Sequence, residues 1–239
     1  MWTREQLKSN AKINFRRNYW PCVGVGFILT LISSGGAVNS AKNGMDYAQP
    51  EDAVSAGSSF LSGHSGILGI FLALGITFSI LMLLLSVFVG NVLRVGGNKF
   101  FIRNRTEMVG MGTILDGFRG NYGNVVLVMV LREVYTLLWT CLLIIPGIIK
   151  SYEYMMVPYI LAENPGMGHK EVFAISRRMM DGEKWNAFVL SLSFIGWYLL
   201  SAVTCGLAGI FYVTPYVEAT IAELYAYNKG KAYQEGYIR

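Results

Sequence analysis

Charge is scarce in this sequence. Of its 239 residues, 15% are Asp, Glu, Lys or Arg, where an ordinary soluble domain has about 25%. Histidine is reduced to His64 and His169, and cysteine to Cys22, Cys141 and Cys205. Three scattered cysteines with no CxxC exclude a disulfide framework. Two histidines cannot assemble a zinc centre. The charge deficit excludes a disordered chain and a charged nucleic-acid-binding module. Walker A, GxSxG and HExxH patterns are missing, and Gly24-x-Gly26 follows no strand. The expectation is therefore no catalytic residue, no metal and no cofactor.

What the chain has instead is apolar residues, at 53%, and a mean hydropathy of +0.42. They gather in six stretches, roughly 21–33, 67–89, 125–145, 148–161, 185–204 and 207–227. A spanning helix needs roughly 20 apolar residues. The second, third, fifth and sixth meet that length. The first and fourth do so only with semi-polar flanks, and the fourth could instead be re-entrant or tilted. Pro146-Gly147 breaks what would otherwise be one overlong segment.

The cations sort by position. Arg4, Lys8, Lys12, Arg16 and Arg17 precede the first stretch; Arg94, Lys99, Arg103, Arg105 and Arg119 follow the second. Lys170, Arg177, Arg178 and Lys184 follow the fourth, and Lys229, Lys231 and Arg239 end the chain. With six spans all four groups fall on one side, which the positive-inside rule makes cytoplasmic, with both termini inside. The opposite side carries Lys42 with Asp46, Glu51 and Asp52. A competing reading treats Arg16-Arg17, the first apolar run and Ser33–Ala37 as a cleavable leader.

Phe15-Arg16-Arg17-Asn18-Tyr19 resembles Phe118-Arg119-Gly120-Asn121-Tyr122, and the latter region aligns with Gly182–Asn186 at an offset of 62. That offset also places Gly147-Ile148 on Gly209-Ile210. The repeat predicts three units, each an amphipathic cytoplasmic helix followed by a hairpin of two spans. Leu7, Ala11, Phe15 and Asn18 share one face of the first such helix, and Val172, Ile175 and Met179 one face of another. The expected fold class is an all-α integral membrane bundle of six transmembrane helices. It forms one domain over 1–239, with a cytoplasmic amphipathic arm 1–20, an external loop 35–65, and cytoplasmic amphipathic loops 91–124 and 163–184. Arg16, Arg17, Arg177 and Arg178 are the expected membrane-surface cations, facing anionic lipid.

Charges inside apolar stretches are costly and mark candidate sites. Arg132, Glu133, Lys150, Glu153 and Glu218 are the candidates for a substrate or ion pathway. Lys150 and Glu153 are three apart and can pair. Arg132 could pair across helices with Glu153 or Glu218. Pro215 frees a backbone carbonyl near Glu218, and Pro158-Tyr159 repeats the Pro215-Tyr216 pair.

The run Ile145-Pro146-Gly147-Ile148-Ile149-Lys150-Ser151-Tyr152, then Tyr159–Pro165, Ser176–Gly182, Pro215-Tyr216 and Ala222–Tyr225, resembles the domain of unknown function 975 family of bacterial membrane proteins. The resemblance implies a polytopic inner-membrane protein and supplies no catalytic residues. The expected function is a lipid-interacting scaffold or accessory protein of the bacterial plasma membrane. The alternative is a transporter for a lipid or small amphiphile. The expected partners are membrane lipids and a protein partner or second copy, not nucleic acid.

Overall fold

A computed structural model describes residues 2–34 and 65–238, which are all-α, with no strand among them. Apart from Ser65, the expected external loop 35–65 lies outside the described residues, including Lys42, Asp46, Glu51 and Asp52.

Helix α1 (Arg4–Arg17) starts at a capping box. The Gln6 N–H donates to Thr3 Oγ1 at 3.2 Å, and the Thr3 N–H donates to Gln6 Oε1 at 3.3 Å. Glu5 in the first turn and Arg16 and Arg17 in the last complement the helix dipole. The expected face is the buried one: Leu7, Ala11, Phe15 and Asn18 are all covered. Most of that covering comes from α12 (Thr214–Gln234), the last helix.

Helix α2 (Tyr19–Ser34) is apolar but only 16 residues long. It packs on α4 (Asn91–Arg103) and α12. Helix α3 (Ser65–Leu85) runs into α4 through one π-helical turn at Ser86–Gly90, where the Asn91 N–H reaches back to the Ser86 carbonyl. Exposure changes sharply at that turn. Every residue from Ala73 to Ser86 is exposed, whereas Val92, Val95, Phe100 and Phe101 are buried. A short 3-10 turn (Met111–Leu115) and α5 (Asp116–Arg119) then pack on α4.

Helix α6 (Tyr122–Leu142) turns back at Leu143 into α7 (Ile144–Glu153). The legs touch at Gly147, where a Cβ would lie 2.6 Å from Thr140 Cα. Only a residue without a side chain permits that approach. Helices α8 (Val157–Glu163) and α9 (His169–Met179) follow, then α10 (Lys184–Leu192) and α11 (Ile195–Val203). The next turn uses two left-handed residues, Cys205 at φ 50° and Gly206 at φ 86°. A π-helical turn (Gly209–Val213) leads into α12, and here Gly209 lies against Ser201. The 62-residue offset seen in the sequence thus joins two glycines in the same role, each seating one leg of a turn on the other.

Among the described residues three helical stretches are long and apolar enough to cross a membrane: Ala73–Arg103, Tyr122–Leu142 and Lys184–Val203. Tyr19–Ser33 is apolar but shorter. Two expected segments are interrupted. The stretch 148–161 breaks between α7 and α8, because Pro158 has no N–H to give the Tyr154 carbonyl. The stretch 185–204 breaks at Ser193-Phe194, where Phe194 turns into the core and Lys8 Nζ takes the Ser193 carbonyl at 3.1 Å.

The core is one cluster built from α1, α2, α4, the first half of α6, and α8–α10 and α12. Most of the large apolar residues left exposed lie on α3, the second half of α6, the start of α7, and α11, with others on α2, such as Trp20 and Leu31.

Candidate functional site

The polar groups meet where the buried core gives way to the exposed apolar helices. Glu153 ends α7 and is 3% exposed. Lys150 Nζ lies 2.8 Å from its Oε1, one helical turn back, as the i,i+3 spacing predicts. Arg177 Nε also reaches Oε1 at 2.8 Å, and Lys184 Nζ reaches Oε2 at 3.1 Å. Ser176 Oγ donates to the Glu153 carbonyl at 2.7 Å. Three monocations around one carboxylate leave two positive charges uncompensated within the cluster. Arg177 is mostly exposed, so its guanidinium also faces outward. Lys150 lies 5.4 Å from the Trp139 ring centre, within cation–π range.

Arg132 pairs with neither expected acid. Its Nε donates to the Tyr154 carbonyl at 3.2 Å, which Pro158 cannot serve and which the Val157 N–H reaches in a turn at 3.3 Å. The same device recurs at the other Pro-Tyr pair. Pro215 cannot serve the Phe211 carbonyl, and Tyr19 Oη donates to it at 3.2 Å. Glu133 lies on the exposed side of α6 and makes no hydrogen bond or ion pair among the described residues. Glu218 accepts from Tyr159 Oη at 3.3 Å. The five pathway candidates fall into two groups: Lys150 and Glu153 join, while Arg132, with Glu133 beside it, and Glu218 both lie near Tyr159 and Arg94.

The four expected surface cations differ too. Arg16 is exposed, and Arg17 donates to the Asn104 carbonyl. Arg177 serves Glu153, and Arg178 lies over Tyr237 at 5.6 Å. Lys8 sits 4.2 Å above the Phe194 ring, and burial with Arg4 nearby holds its pKa below the usual lysine value.

A second polar layer was not apparent from the sequence. Glu223 takes Arg105 Nε and Asn14 Nδ2, both at 2.9 Å. Asn18 Nδ2 donates to Asn104 Oδ1 at 2.7 Å and to the Val109 carbonyl at 2.8 Å. Glu163 accepts from Tyr225 Oη and Lys229 Nζ, both at 2.6 Å. Trp2 Nε1 donates to Glu183 at 2.9 Å. These contacts join residues up to 209 positions apart, and local spacing carries no sign of such pairs.

Two cavities stand out among the described residues. One, of about 250 Å³, lies between α4, α5 and α8, near Lys99, Asp116, Arg119 and Pro165. The other, of about 430 Å³, lies between α1 and α12, near Trp2, Asn10, Arg105 and Glu223. Neither is lined by Arg132, Glu133, Lys150, Glu153 or Glu218. Among the described residues no group of three His, Cys, Asp or Glu side chains could hold a metal ion.

No curated protein and no solved structure matches the chain. The repeated Pro-Tyr pairs, the Pro146-Gly147 turn and the Glu153 cluster all fall within residues 141–230, and that segment matches the model of a protein family of unknown function, DUF975, the family its motifs resemble.

Proposed function

We propose that the chain is a multi-pass membrane protein that works by holding lipid and a protein partner, as a scaffold or accessory subunit, and not by chemistry of its own. The observation that carries this reading is the exposed apolar surface of α3, α6 and α11, bordered by cations. Leu137, Leu138, Leu142–Ile145, Leu199 and Val203 are all more than half exposed. Apolar surface of this extent in water marks an interaction or membrane site. Lys150, Arg177 and Lys184 border it with excess positive charge, which suits an anionic headgroup. The positive-inside pattern and the family resemblance support a bacterial plasma membrane with both termini cytoplasmic.

The transporter reading has weaker support. Arg132 is engaged by a backbone carbonyl, Glu153 by three cations and Glu218 by Tyr159. The two cavities lie elsewhere. Native mass spectrometry of the chain purified in mild detergent tests the choice. The scaffold reading expects retained anionic phospholipid that is reduced in Arg177→Glu. A stoichiometric non-lipid small molecule that is lost in Glu218→Gln would overturn it in favour of transport.

A further inference from the structure

We infer that the two turn-backs, α6–α7 and α11 with its following π-helical turn, are re-entrant wedges. Both enter the hydrocarbon of a single leaflet from the same side and end near the bilayer midplane. This rests on the membrane reading above and changes its topology, because neither turn-back then crosses.

The argument starts from where charge stops. Along the first turn-back, Arg132 and Glu133 on α6 lie across from Tyr154, next to Glu153 at the end of α7. Lys150, Arg177 and Lys184 close on Glu153 at the same level. Glu133 and Arg177 are exposed. From Val134 to Ile149 the chain carries no charged residue and passes through the apex at Leu143. The 10-residue α7 measures about 15 Å. The part of α6 beyond Glu133 measures about 14 Å.

The second turn-back has the same reach. Lys8 of the amphipathic α1 holds the Ser193 carbonyl. Beyond it stands the 9-residue α11, about 14 Å long. The apex follows at Cys205-Gly206.

A hydrocarbon core is about 30 Å thick. If either apex reached the far headgroups, its charged base would lie at the midplane. An exposed Glu133 carboxylate and an exposed Arg177 guanidinium are costly there, because neither faces a bundle interior. With the charges at headgroup level, both apices fall at half depth. By contrast, α3 and its π turn extend as one helix of about 36 Å above α4, exposed from Ala73 to Ser86, enough for a full crossing.

The apices carry the internal bonding that hydrocarbon demands. Thr140 Oγ1 donates to the Thr136 carbonyl at 2.8 Å, and Thr204 Oγ1 to the Leu200 carbonyl at 3.0 Å. The Gly206 N–H returns to the Ser201 carbonyl at 2.8 Å, and the Ala208 N–H to Thr204 Oγ1 at 3.1 Å. Pro146 removes one N–H that the start of α7 would leave unbonded.

Two native cysteines report the depth. Cys141 and Cys205 are exposed near the two apices, and Cys22 is buried. Cys205→Ser and Cys141→Ser therefore yield single-site forms for a thiol-specific nitroxide without touching the core. Each form is reconstituted in phosphatidylcholine–phosphatidylglycerol vesicles. Depth is read from power saturation with oxygen and with a nickel chelate on either side. Both labels should lie about 15 Å from either headgroup plane, half of the ~30 Å core, with high oxygen and low nickel contact. Either label at the far headgroups, or meeting chelate from that side, overturns the wedge while leaving a membrane protein. Free chelate access to both labels with no lipid association overturns the membrane reading as well.

Discussion

Replacing Glu153 with glutamine would remove the one negative charge shared by three cations. The glutamine amide keeps the shape and one acceptor, but its NH2 would face a cation. Breaking a buried ion pair from one side costs roughly 3–5 kcal/mol. Here the cations are 23%, 61% and 31% exposed, so water recovers part of that. The Arg177 share falls to the surface-pair range of roughly 0–1 kcal/mol. The expected net loss is about 2 kcal/mol. Glu107→Gln is the control, because the Arg103–Glu107 pair is 46% and 52% exposed. Its expected loss is below about 0.5 kcal/mol. The assay is equilibrium unfolding from mild micelles by SDS titration, followed by far-UV circular dichroism. Equal losses in the two variants, within about 0.5 kcal/mol, would refute the claim that Glu153 is a shared buried counter-ion.

Further outcomes follow from the packing, all measured by the same titration. Gly147→Ala should cost about 1–3 kcal/mol, because its new methyl meets the Thr140 backbone, and Gly209→Ala less, because there it meets only the Ser201 hydroxyl. Gly123→Ala, with nothing within 4 Å, should be neutral or stabilising by up to about 1 kcal/mol. Asn228→Leu should stabilise by up to about 1 kcal/mol, since Asn228 Oδ1 is buried with no hydrogen-bond partner among the described residues and Nδ2 has only the weak acceptor Met180 Sδ at 3.6 Å. Tyr19→Phe should cost about 1 kcal/mol in the native chain and less in Pro215→Ala, where residue 215 supplies an N–H for Phe211.

Local physics was readable in the sequence, and tertiary pairing was not. The face of α1 follows from Leu7, Ala11 and Phe15 at helical spacing, and Lys150–Glu153 from an i,i+3 step. The glycine equivalence at an offset of 62 became a shared packing role. The addition of Arg177 and Lys184 to Glu153 needs α9 and α10 to fold back across α7, and no local pattern encodes that. Arg132 looked like one half of an ion pair because it is a cation in an apolar run. Its real partner is a carbonyl, and the signal was Pro158, four residues beyond Tyr154. The same rule applied to Pro215 points to Phe211, although not to Tyr19 as the donor. Apolar length overstated the continuous helices, since Pro158 and the Lys8–Ser193 contact divide two stretches that composition alone treats as whole.

The central claim is that lipid covers the exposed apolar surface of α3, α6 and α11. Flotation after alkaline extraction tests it most directly. Membranes containing the full chain are washed at high pH and floated through a density gradient, which separates embedded protein from both soluble and aggregated material. The account predicts that the chain rises with the lipid. Recovery of a folded, monodisperse chain in the lipid-free fraction would contradict it.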